Sequence, residues 1–226
     1  PEEVRSQIAA FKLILALTEK YHALVMNPPY MQWNKMNNVL SEYARSFYES
    51  SKLDLCTIFM VVSNQRLLKN GKYGMINMQS WMFLSSYESF RLYVLNNNII
   101  DNLLHLGPHT FDELSGEIVQ NAAFVFTNSC ATSSAYFVRL VDGENCTAKK
   151  SLFIEHKAPS YCVNPNDFKN ISGNIFGYWL SDQLKNIFKT GNPLSSVATS
   201  CVGLQTSDND KYIMQWNEVD FRKIGF

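Results

Sequence analysis

The feature that most constrains this chain is a short apolar run, Tyr21-His22-Ala23-Leu24-Val25-Met26, that stops at Asn27-Pro28-Pro29-Tyr30. The run reads as a buried strand. Asn27 and Pro28 each precede a proline, whose ring crowds helical backbone at the preceding residue, so both are pushed into extended conformations. Pro28 and Pro29 also fix their own φ and lack amide hydrogens. The expected result is a stiff elbow leaving the strand. It presents the Asn27 side chain, the Pro28 carbonyl and the Tyr30 ring with little conformational entropy left to lose. In open α/β sheets, the crevice beyond the carboxyl ends of the strands is where ligands bind.

The rest of the chain supplies such a sheet. Val4 to Lys20 carries Ile8, Phe11 and Leu15 at helical spacing. Met31 to Ser51 is polar and aromatic without a clear period and is expected to be a loop with some helix. Asp54 is a plausible helix start, followed by Leu55, Ile58, Phe59 and Val62 on one stripe that continues to Leu67 and Leu68. Asn70-Gly71 is expected to end that helix through a left-handed cap. Strands are expected over Tyr73–Met78, Ile99–Leu106, 117–127 and 135–141, with a helix over Ser85–Asn97. The last two strands have no helix between them, which suggests that they pair antiparallel. The expectation is an open α/β sheet, mixed, with an antiparallel strand near the edge. After Asp142 the texture breaks into short segments punctuated by Asn164-Pro165, Gly173 and Gly191-Asn192-Pro193. A boundary is therefore expected near residue 145.

Composition excludes several classes. The 46% apolar and 13% aromatic content is enough for a large core, which argues against disorder. The most apolar early run, Ala9 to Leu17, is too short to span a bilayer. The five cysteines are scattered with no Cys-x-x-Cys pair, as in reduced, cytoplasmic proteins without a disulfide framework or a metal site. Lys+Arg and Asp+Glu balance at twenty each, which counts against a complete DNA-wrapping surface, because neutralised phosphates supply most non-specific affinity.

The elbow suits one chemistry. An exocyclic amine on an aromatic base is a poor nucleophile, because its lone pair is delocalised into the ring. Two fixed acceptors, the Asn27 side-chain carbonyl and the Pro28 backbone carbonyl, can take the two amine protons and favour a localised lone pair. Tyr30 can stack on the base, holding a nucleotide that has left its duplex. Such catalysis is positioning and electrostatic preorganisation, with no metal and no covalent enzyme intermediate. The plain alternative is that Asn-Pro-Pro at a strand end is simply a turn.

Asn27-Pro28-Pro29-Tyr30 resembles the Asn-Pro-Pro-Tyr motif of amino-methyltransferases that use S-adenosylmethionine. The downstream phrases "MQSWMFLSSYE", "LHLGPHTF" and "GEIVQNAAFVF" resemble later motifs of the adenine-N6 class, and of the PglX family of BREX phage-resistance systems in particular. "GLQTSDNDKYIMQWNEVDF" is similar to the start of that family's target-recognition region.

The resemblance implies the carboxyl-terminal part of a Rossmann-like class I methyltransferase sheet over residues 1–145. Residues 146–226 would connect to, and begin, a target-recognition domain. It implies methyl transfer from S-adenosylmethionine to N6 of a flipped adenine in double-stranded DNA, with other defence-system subunits as partners. Asn27, Pro28, Pro29 and Tyr30 take the catalytic roles. Phe111 takes the opposite face of the base and Phe59 a place near the cofactor's adenine; a loop aromatic and a helix-core residue are the respective plain readings. Relatives bind the cofactor mainly through a glycine-rich turn upstream, whereas the first glycine here is Gly71. The chain is thus expected to be part of a longer or degraded enzyme, inactive by itself. Two rivals remain: a non-catalytic binding module of a defence complex, and an amino-methyltransferase acting on protein glutamine or ribosomal RNA.

Overall fold

The computed structural model describes residues 2–111 and 119–199, together with 201, 213, 219 and 222. The chain forms two compact units, residues 1–189 and 190–226. The described part of the second includes a 3-10 turn over Leu194–Ser196.

The first unit is built on a six-stranded sheet: β1 (Tyr21–Met26), β2 (Leu67–Met78), β3 (Asn98–Gly107), β4 (Asn121–Asn128), β5 (Ala135–Arg139) and β6 (Ser160–Val163). Their order across the sheet is β1-β2-β4-β3-β5-β6. β1 runs parallel to β2 and β3 parallel to β5, whereas β4 is antiparallel to both of its neighbours and β6 to β5. The expected mixed α/β sheet is present, with antiparallel β6 at its edge. The carboxyl ends of β1, β2, β3 and β5 therefore share one side of the sheet with the amino end of β4.

Two local expectations are corrected. β4 does not pair with β5, because β3 lies between them. Its sequence, Asn-Ala-Ala-Phe-Val-Phe, is almost continuously apolar, which suits a central strand flanked on both sides. The helix expected to end at Asn70-Gly71 instead ends at Arg66, and Leu67 is already extended. Asn70, with φ 64°, sits in β2, where the β1–β2 register shifts between the Tyr21–Leu67 and Ala23–Lys72 pairs. A Cβ on Gly71 would lie 3.0 Å from the Tyr21 and Leu68 carbonyl oxygens, so glycine lets the two backbones approach.

Helices α2 (Asn38–Phe47), α3 (Leu55–Arg66) and α4 (Glu88–Asn97) follow in the chain. Met60 and Val61 of α3 and Phe90 and Val94 of α4 pack in one cluster with Tyr73, Met75, Leu103, Phe124, Phe126 and Phe137 of the sheet. Trp81 sits among them, edge-on to Phe90, Phe124, Phe126 and Phe176 at 5.1–6.4 Å, with its indole N–H donated to Asn77. Each such aromatic withdraws ~150–250 Å² from water, roughly 4–6 kcal/mol of gross burial.

The expected boundary near residue 145 does not coincide with a break in packing. β6 pairs with β5, and Phe168, Phe176 and Tyr178 are buried in the same cluster. Helix α5 (Cys146–Ile154), capped by the Asn145 side chain, buries Lys149, whose ammonium donates to the carbonyls of Leu106 and Leu140 at 2.8 and 2.9 Å. A sixth helix spans Asp182–Thr190.

At the amino end, α1 (Glu2–Thr18) buries no residue. Its stripe of Ile8, Phe11 and Leu15 is exposed, at 50%, 66% and 57%. Among the described residues no helix is long and apolar enough to cross a membrane.

Candidate active site

β1 delivers Asn27 to the carboxyl side of the sheet, where its side chain is exposed while Pro28 is buried and Tyr30 half-buried. The elbow turns back on itself so that the Tyr30 hydroxyl lies 3.1 Å from Asn27 Oδ1 and 3.2 Å from the backbone carbonyl oxygen of Ile76. One hydroxyl proton thus faces two acceptors. Burial, with lesser contributions from Cys56 and Asp54, pushes the Tyr30 pKa up to about 12, so the proton stays on the ring oxygen at neutral pH. Asn27 Oδ1 is therefore a carbonyl acceptor at an exposed strand tip, held by a donor that has a second place to go.

The loop after Tyr30 is fixed by Asp54. Its carboxylate accepts from the amide of Cys56 at 2.9 Å, capping α3, and from that of Met31 at 3.3 Å. Backbone bonds from Leu55 to Met31 and from Trp33 to Leu53 complete the clamp. The capping role was legible from Asp54 preceding an apolar stripe; its grip on Met31 was not, because the two residues stand 23 positions apart with α2 between them.

On its other side Tyr30 is held by Asn121, a residue that sequence reasoning missed. Asn121 is fully buried at the start of β4, opposite Met78 of β2. Its amide nitrogen donates to the Tyr30 hydroxyl at 3.2 Å and to the carbonyl of Asn77 at 3.3 Å. Its Oδ1 is buried with no hydrogen-bond partner among the described residues. A polar residue opening an otherwise apolar strand was the one signal available.

Phe111 follows β3 at the same side of the sheet. Gly107 and His109 both have positive φ, 70° and 54°, and Thr110 donates to the Gly107 carbonyl, so the chain turns sharply before Phe111. No ring contact joins Phe111 to Tyr30 among the described residues. Phe59 lies on α3, partly buried against the main core cluster. Core packing accounts for its partial burial, and the residue keeps some exposure.

Residues 2–111 match the family described as Eco57I restriction-modification methylase. The chain is 38% identical over 211 residues to the adenine-specific methyltransferase BrxX of Escherichia coli O9:H4 (strain HS), covering 92% of this chain and 17% of that protein. It is 32% identical over 231 residues to the adenine-specific methyltransferase PglX of Lacticaseibacillus casei (strain Zhang), covering 99% of this chain and 19% of that protein. The chain thus spans less than a fifth of the length of these relatives.

Among solved structures, the methyltransferase subunit of the type I restriction-modification system from Streptococcus thermophilus superposes with a TM-score of 0.52 at 12% identity. That match covers 70% of this chain and 37% of that one. It supports the fold, a mixed α/β sheet of the kind found in restriction-modification methyltransferases. Motif, sheet and sequence similarity agree: the chain is similar to the Eco57I restriction-modification methylases and to the adenine-specific methyltransferases BrxX and PglX.

Proposed function

We propose that Asn27-Pro28-Pro29-Tyr30 holds the exocyclic amine of an adenine that has left a DNA duplex, for methylation at N6. The observation that carries this reading is the shared Tyr30 proton. In the free site the hydroxyl lies within hydrogen-bond reach of both Asn27 Oδ1 and the Ile76 carbonyl. An arriving amine can take Asn27 Oδ1 while the Tyr30 proton turns to Ile76, so neither acceptor is left bare. Asn27 Oδ1 and the Pro28 carbonyl then accept the two amine protons, and the nitrogen lone pair is no longer committed to the ring. Tyr30 carries one face of the base and Phe111, on the turn after β3, the other.

S-adenosylmethionine, when bound, supplies the methyl group. Phe59, partly buried against the core, would pack near the adenine of that cofactor. The partners are double-stranded DNA and, as in the system whose methyltransferase subunit shares the fold, further subunits of a restriction-modification or phage-defence system in the cytoplasm. Residues 146–226 would lead into the target-recognition region.

The test uses the full-length natural protein. Asn27→Ala and Tyr30→Ala should each lower N6-methyladenine formation in DNA at least about a hundredfold, since each removes a group acting directly on the amine or its ring. The thermal melting transition should stay within a few degrees. N6-methyladenine mapped by sequencing, with and without the gene, separates DNA from protein or ribosomal RNA as acceptor. Methylation that survives both substitutions ends the proposal.

A further inference from the structure

A second polar assembly lies on the same side of the sheet and takes no part in holding the amine. His105 of β3 is 4% exposed, with Nδ1 2.7 Å from the Tyr178 hydroxyl and Nε2 2.6 Å from Gln79 Oε1. Gln79 Nε2 donates to Gln120 Oε1, and the two residues are also joined by a backbone bond of 2.9 Å from Gln79 to Gln120. The positive charge of Arg139 lies close to Tyr178.

The direction of this chain follows from the Gln79 amide. Gln79 presents its amide oxygen to His105 Nε2, and an amide oxygen only accepts, so His105 carries its proton on Nε2 and donates it to Gln79 Oε1. Nδ1 then has no proton and accepts from the Tyr178 hydroxyl. Gln79 spends its amide nitrogen on Gln120 Oε1. Among the described residues of the chain this leaves the Gln120 amide nitrogen at the far end, and it can act only as a donor. Burial, with the nearby positive charges of Arg139 and Lys149, lowers the His105 pKa to about 4, so at neutral pH no second ring proton reverses the chain.

Gln120 opens on a cavity of about 250 Å³ lined by Met78, Gln79, Ser80, Phe83, Leu84 and Gln120. That is several times the ~30 Å³ share of one water, which is room for a small planar ring. Phe83 presents an aromatic wall, itself tilted against His105 at 5.4 Å and Trp179 at 5.7 Å. The cavity stands next to the amine site: Gln120 precedes Asn121, which holds Tyr30, and Gln79 follows Met78, the partner of Asn121 across the sheet. An aromatic wall, apolar Met78 and Leu84, the Gln120 donor and the Ser80 hydroxyl, which can donate or accept, match an acceptor-bearing heteroaromatic ring.

We infer that this cavity receives the edge of a nucleobase of the substrate DNA, with Gln120 donating to a ring nitrogen and Phe83 against its face. The inference rests on the reading of Asn27-Tyr30 as the amine site. Two bases carry the required chemistry, the methylated adenine itself and its neighbour in the strand.

The experiment uses the full-length natural protein and duplexes bearing its methylated sequence. The target adenine or one of its neighbours is replaced, one at a time, by a deaza analogue. Equilibrium binding is compared for wild type, Gln120→Leu and Gln120→Glu; Glu keeps an acceptor for Gln79 but puts a carboxylate where the donor stood. One deaza replacement, which removes the ring nitrogen and keeps the stacking face, should weaken wild-type binding about tenfold, by stranding a desolvated donor, and should cost the Gln120→Leu protein nothing further. Its position identifies which base fills the cavity. Gln120→Glu should weaken binding of the intact duplex by at least as much as Gln120→Leu. Equal losses in wild type and Gln120→Leu at every position overturn the inference and leave the amine site standing. Methylation by an Asn27→Ala protein overturns the amine site, and this inference with it.

Discussion

The side-chain amide of Asn121 donates to the hydroxyl of Tyr30 at 3.2 Å, joining two residues 91 positions apart. This contact ties the first residue of a central strand to the elbow after the edge strand β1, and it sets the Tyr30 hydroxyl where it faces Asn27. Asn121→Leu should therefore lower methylation about tenfold and cost about 1–2 kcal/mol of stability, because the Asn77 carbonyl also loses a donor. Combined with Tyr30→Phe, it should cost no further activity, since the hydroxyl it positions is gone. Turnover and unfolding measured on both single variants and the double variant test this. Fully additive losses in turnover would show that Asn121 acts by some other route.

His105 gives a stability signature in pH. Its folded pKa is about 4 against an ordinary 6.5, lowered first by burial and then by Arg139 and Lys149, with Asp142 acting in the opposite sense. Below pH 6.5 the unfolded chain takes up the proton more readily than the folded one. The contribution of neutral His105 is thus complete above pH 6.5, is lost as pH falls towards 4, and is flat below that. The loss amounts to about 3 kcal/mol. Urea unfolding of wild type should steepen over this window relative to His105→Gln. Parallel pH curves for the two proteins would rule out the buried neutral imidazole.

Gly107 turns the chain towards Phe111. Its φ is 70°, and a Cβ there would lie 3.0 Å from a side-chain carbon of Val141. Gly107→Ala should destabilise by more than the ~1–2 kcal/mol that left-handed backbone alone costs an L-residue. Adding Val141→Ala should recover the part due to overlap. Chemical denaturation reads both, and a double variant no better than Gly107→Ala would assign the whole cost to backbone.

Arg91 is fully buried and donates to the carbonyls of Trp81, Leu84 and Gly173 at 2.8, 2.6 and 2.8 Å. It holds the Trp81–Leu84 turn, and with it the wall of the Gln120 cavity. Arg91→Met keeps an apolar filling but strands three carbonyls, at a cost of about 3 kcal/mol or more. Arg91→Lys should rescue little, because a single ammonium cannot reproduce the planar fork. A melting temperature within a degree or two of wild type for Arg91→Met would contradict this role.

Much of the local structure was legible because it is encoded locally. The strand Tyr21–Met26 ends where the prolines end it, and Asp54 caps α3 where its position predicts. The Asn70-Gly71 pair shows the limit of such reading. Left-handed backbone was correctly expected there, but the same chemistry serves a helix cap or a bulge, and only pairing with β1 decides between them. The pairing expected for the strand read over 117–127 failed for a related reason. An apolar run states that a strand is buried without stating which strands flank it, and β4 enters between β2 and β3 because each side of it finds a partner.

The sequence by itself determined the elbow of Asn27-Pro28-Pro29-Tyr30 and the kinship it carries, since proline geometry and a four-residue motif need no distant contact. It also determined that the chain would build an α/β sheet, through the alternation of apolar strand and helix patterns. Only the tertiary structure decided that Asn121 holds Tyr30, that Asp54 holds Met31, and that Tyr178, His105, Gln79 and Gln120 form one directed chain. Those contacts depend on strand order and register, which bring residues far apart in the chain to one side of a sheet. A polar side chain in sequence shows what it can bond; the fold decides what it meets.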